Sequence, residues 1–157
     1  MTVPPSTPPT PLTVPLAVLD EARRFFEDCG SRGCEGTAMI AASLTAIRLV
    51  IPDQHATPAP YCSVEVTLQG KLELAGELRS GETYVSRIHS HPELPFHSPT
   101  DDRNPALTHE GALSIVVPFF GLGLRQGFSC CAVYVRQGHE WIELPAGSGR
   151  DRLVVAR

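Results

Sequence analysis

No two cysteines in this sequence have the Cys-x-x-Cys spacing of structural zinc sites and redox motifs. The five cysteines, at 29, 34, 62, 130 and 131, are therefore expected to be reduced thiols, and a cysteine-built metal site is not expected. No apolar run approaches the ~20 residues that span a bilayer, so no membrane segment is expected. The N-terminus, MTVPPSTPPTPLTVP, has neither the basic nor the apolar stretch of a secretory signal, and the expected location is the cytoplasm. A basic patch is missing too. Lys and Arg number 13 against 17 Asp and Glu, a formal net charge of −4, which speaks against binding a nucleic-acid backbone. No internal repeat is present.

What is plentiful is proline, 15 residues against 13 glycines, in a chain of 157. Six of the prolines lie within the first fifteen positions. Each removes an N–H donor and fixes φ, so residues 1–14 are expected as a disordered, Pro-rich tail before one domain over 15–157. With 42% hydrophobic residues, a domain of that length can bury a core.

Beyond the tail, Leu16, Leu19, Ala22, Arg23 and Phe26 have helical spacing, and Gly30 is the expected stop. Residues 36–51 are apolar and broken near 44–46, which predicts two buried strands. Residues 61–66 alternate as a third, and 67–79 are expected as a helix. Further strands are predicted over 82–91, 113–117, 129–135, 140–144 and 153–155, with a Pro-rich loop at 92–108 and a linker at 118–128. This order implies an α/β fold, a mixed β-sheet flanked by helices.

The segment His89-Ser90-His91-Pro92 runs out of one predicted strand into the loop. Histidines at i and i+2 on a strand project from one face, so both imidazoles can reach one ion. An acid from the following loop would complete a three-ligand site that leaves a position open to water, the pattern of catalytic rather than structural zinc. Ser98-Pro99-Thr100-Asp101 also reads as a helix start, with Ser98 as cap and Pro99 at the first helical position. His55 and His139 fall in predicted turns. His97 could line the cleft, although as a fourth protein ligand it would close the water position, and His109 follows the loop.

His89-Ser90-His91-Pro92, six residues to His97, then Ser98-x-x-Asp101 closely resembles the JAMM (JAB, MPN-type) metalloprotease signature, His-x-His-Pro…Ser-x-x-Asp. The resemblance implies a cytidine-deaminase-like JAB/MPN fold, one Zn2+ held by His89, His91 and Asp101, and cleavage of a peptide or isopeptide bond beside a ubiquitin-like protein. It also implies a glutamate general base before an apolar strand, which Cys34-Glu35-Gly36-Thr37-Ala38 matches with Glu35, and an oxyanion or water contact from Ser98. The family's usual spacing would select Asp102; the serine-to-aspartate spacing, fixed by one helical turn, selects Asp101. Phe96 to Arg103 together with Leu113 to Gly121 is similar to bacterial members encoded beside ubiquitin-like conjugation enzymes in antiviral defence operons. Activating and conjugating enzymes are thus implied partners. Two other readings stay open: a non-catalytic MPN-type scaffold, and a zinc hydrolase of small peptides.

Overall fold

The computed structural model describes residues 11–99, 107–147 and 153–157. Six strands form the central sheet: β2 (Thr37–Ala42), β3 (Ile47–Val50), β6 (Thr83–Ser90), β7 (Leu113–Val117), β8 (Ala132–Gln137) and β9 (Glu140–Leu144). Their order is β3-β2-β6-β7-β8-β9, with β6 and β7 parallel and every other neighbouring pair antiparallel. The sheet is mixed and helix-flanked, as the sequence implied. No helix among the described residues is long and apolar enough to cross a membrane, and all five cysteines are free thiols.

Helix α1 (Leu16–Ser31) buries Val18, Leu19, Ala22, Phe26 and Cys29. These side chains pack on Ala38, Ile40, Ile88, Ile115, Val117, Val133 and Val135 from one face of the sheet. Gly30 lies inside the helix rather than ending it. A Cβ at that position would collide with the Phe120 side chain, so the glycine permits a close contact and is no stop signal. Helix α2 (Leu68–Glu77) starts at Thr67, whose side chain accepts the Gly70 N–H as an N-cap. Its Leu74, with Leu78, packs on Met39, Ala41 and Val50 from the opposite face. Each face of the sheet therefore has its own cluster.

Four further expectations are corrected. Residues 12–14 are not tail: β1 (Leu12–Pro15) pairs in parallel with β10 (Leu153–Ala156), and Val14 is buried in the core. Proline's fixed φ suits extended backbone, and a two-stranded ribbon leaves each strand a side on which the missing N–H costs nothing. A strand not anticipated, β4 (Gln54–Thr57), pairs with β5 (Ser63–Val66) and takes His55 out of its predicted turn. The supposed linker after Pro118 winds as 3-10 turns over Phe119–Gln126, broken by left-handed backbone at Phe120 and Gly121. Finally, the strand expected from Ser129 begins at Ala132, because Cys131 N–H closes a turn onto Phe128 O.

On β3, Arg48 grips Glu82 through two charge-assisted hydrogen bonds, Nε to Oε1 at 2.9 Å and Nη2 to Oε2 at 2.8 Å. The Arg79 N–H also donates to Glu82 Oε2 at 2.8 Å. First Arg48 and then this backbone donor hold the carboxyl down at about 2. A depressed folded value means that this contribution to stability is complete above the usual carboxylate pKa and fades as pH falls towards 2. Urea unfolding between pH 6 and 2 should lose stability in that window, and Glu82→Gln should flatten part of the loss. An unchanged slope in the variant would refute the assignment.

Candidate metal centre

β6 lies inside the sheet, between β2 and β7, so two ladders fix its backbone. Its alternation turns Ile88 towards α1 and puts Arg87, His89 and His91 on the other face. The two imidazoles are 3% and 6% exposed, with ring centres 5.1 Å apart and an edge-on angle of 61°. The Phe96 ring stands edge-on to His91 at 4.9 Å. Past the end of β6, His91 stays fastened: its N–H donates to Val117 O, and its own carbonyl accepts the Phe120 N–H, both at 2.8 Å.

Glu35 lies just ahead of β2, the strand that pairs with β6. Thr37 is the register partner of His89. One step earlier, Ser90 N–H donates to Gly36 O and Gly36 N–H to Ser90 Oγ, each at 2.9 Å. Glu35, half-buried, directly precedes this anchored glycine. Gly36 is there because nothing larger fits. A Cβ would lie 2.9 Å from Phe25 Cε1 and 3.1 Å from both Cys29 Sγ and Phe26 Cδ1. Close by, burial raises the Cys62 thiol pKa, and the neighbouring Glu35 carboxylate and Cys34 raise it further.

Two imidazoles on one face form half of a site for a first-row divalent metal, and the nitrogen donors fit such an ion. Among the described residues no group of three His, Cys, Asp or Glu could hold one. The expected third ligand, Asp101, and its alternative, Asp102, lie outside the described residues. Ser98 is half-buried, and helical backbone begins at Pro99. His109 and His139 are exposed on other loops.

One group of residues escaped the sequence reading. Arg87, Ser114 and Tyr134 are register partners across β6, β7 and β8, one row below His89. Arg87 donates to Ser114 Oγ from Nε and Nη2 at 3.4 and 3.1 Å. His97, from the loop, joins this row: its Nε2 lies 2.8 Å from Ser114 Oγ, and its ring stacks on Tyr134 at 4.1 Å. The Trp141 ring lies within cation–π distance of the Arg87 and Arg136 guanidinium groups, at 6.0 and 5.5 Å. A buried arginine two residues before the first histidine of an alternating strand was the available signal.

No family model matches the chain. It is similar to the "Probable metalloprotease y4jG" of Sinorhizobium fredii (strain NBRC 101917 / NGR234), 48% identical over 142 residues that cover 86% of this chain and 88% of that protein. Among solved structures it matches the JAB1/MPN domain protein AF2198 from Archaeoglobus fulgidus, with a TM-score of 0.52 at 13% identity over 94% of this chain and 100% of that one. It also matches the solution structure of protein DSY2949 from Desulfitobacterium hafniense, with a TM-score of 0.51 at 12% identity over 92% of each. At these identities the two structures establish the fold. The first relative goes further: this chain belongs to the metalloprotease family of the Sinorhizobium protein, built on the JAB1/MPN fold.

Proposed function

We propose that the protein is a zinc-dependent peptidase or isopeptidase that cleaves after the C-terminus of a ubiquitin-like protein. It would process the precursor or remove the modifier from its targets, in the cytoplasm of a bacterium. The observation that carries this is the pair of buried imidazoles, His89 and His91, on one sheet face in a chain of the metalloprotease family. The ubiquitin-like substrate rests on the resemblance of the His-x-His-Pro and Ser-x-x-Asp segments to the JAMM signature. An antiviral conjugation operon, with activating and conjugating enzymes as partners, follows from the same resemblance.

His89, His91 and Asp101 are the residues to hold the metal. When bound, zinc acidifies water and polarises the scissile carbonyl. Glu35 takes a proton from the attacking water and returns it to the amine as the C–N bond breaks. Ser98 hydrogen-bonds the oxygen on which charge develops. The exposed Leu94, Phe96, Phe119 and Leu122 lie in the two segments after β6 and β7, and they suit contact with the apolar part of an extended tail. The six-stranded sheet also keeps β3 and β9 as edges for strand addition.

The test uses purified protein and a ubiquitin-like protein carrying a C-terminal extension. Elemental analysis should find about one zinc per chain, cleavage should stop with 1,10-phenanthroline, and added Zn2+ should restore it. Protein without zinc, or cleavage indifferent to the chelator, would sink the proposal and leave the non-catalytic scaffold. Cleavage of short peptides in preference to the folded modifier would favour the small-peptide hydrolase.

A further inference from the structure

The polar row beneath the histidines has no part in the chemistry above, yet it holds the residue next to Ser98. Arginine carries donors only. With Arg87 Nη2 at 3.3 Å, His97 Nε2 must accept. Ser114 Oγ already accepts from Arg87, so its own proton points to His97 Nε2. The Nε2 lone pair is thereby committed to β6 and β7, and the ring proton sits on Nδ1. Stacking on Tyr134, at an interplanar angle of 23°, and the edge-on Trp141 at 5.5 Å set the ring plane. The main chain is fastened as well, since His97 N–H donates to Tyr134 Oη at 3.1 Å.

We propose that His97 is a positioning residue, a latch that docks the far end of the loop after His91 onto β7 and β8 and stays off the metal. Between His91 and His97 the loop carries the exposed Leu94 and Phe96, and Glu93 O accepts the Phe119 N–H as a midway tie. The latch gives Ser98 and the turn opening at Pro99 a fixed point of entry. A residue that only filled the cleft would need neither the Ser114 hydroxyl nor the Tyr134 phenol. This inference rests on the metallopeptidase reading for its effect on rate, but not for the state of the His97 ring.

Two measurements separate those dependences. In 15N-histidine NMR of the full chain, His97 should show the Nδ1–H tautomer with chelator present and again with Zn2+, while His89 and His91 move on metal addition. A His97 nitrogen that shifts into the metal-bound range overturns the latch. In cleavage of the modifier fusion, Ser114→Ala and Tyr134→Phe should each lower kcat about tenfold, the effect of one lost hydrogen bond, with KM within about twofold and zinc retained. Ser114→Thr should recover most of the loss. Wild-type kcat in both deletions would refute the positioning role. If wild-type protein binds zinc but cuts no tail, the proposed activity fails instead, and the NMR tautomer still decides whether His97 is latched.

Discussion

Glu35→Gln is expected to lower cleavage about a thousand-fold while leaving the zinc content unchanged. A positioned general base contributes on the order of a hundred- to ten-thousand-fold, and glutamine keeps the size of glutamate and one accepting oxygen but cannot take the proton. The expectation is sharp because Glu35 does not float. Its neighbour Gly36 is held to Ser90 by a backbone bond and by the Ser90 hydroxyl, and is packed under Phe25, Phe26 and Cys29 with no room for a side chain. The substitution therefore changes the carboxylate and little else. Single-turnover cleavage, with metal analysis on the same sample, reads both halves. A variant that cuts at the wild-type rate removes Glu35 as the base, whereas one that loses zinc makes it a ligand.

His89→Ala and His91→Ala should each abolish cleavage and lose the metal together. His89 sits on β6 and His91 directly past its end, so either change leaves a single imidazole, and metal affinity should fall at least about a hundred-fold. The fold should survive. Both side chains face away from the α1 cluster, and the backbone around them is held by β2 and β7. Circular dichroism with elemental analysis checks this, and a variant that keeps a full equivalent of zinc would show that its histidine is no ligand. The same assay on Asp101→Ala and Asp102→Ala assigns the third ligand: the true one loses zinc.

The legible part of this molecule was the part written in local pattern. The alternation of 82–91, the apolar run of 36–51 and the helical spacing from Leu16 gave the strands and helix that put His89 and His91 on one face. Thr67, ahead of apolar residues at helical spacing, marked the start of α2. Hidden features depend on partners remote in sequence. Gln54–Thr57 has little strand character and is ordered by β5 and by the Gln54 side chain, which bonds Thr37 N–H and O at 2.9 Å each. The turns after Pro118 need two phenylalanines at positive φ, which no propensity favours. The Arg87–Ser114–His97–Tyr134 group spans three strands and a loop, so no window of sequence contains it.

The pairing of β1 with β10 has a consequence for how the chain folds. Leu12 and Leu153 are register partners about 140 residues apart, so closing this ribbon carries a large entropy of loop closure. Contacts of such range form late. The central sheet and α1 can assemble first, whereas Val14 and Leu153 enter the core only after the C-terminal strand has left the ribosome. During synthesis, then, the sheet face that bears His89 and His91 is expected to form over a core still open at one end.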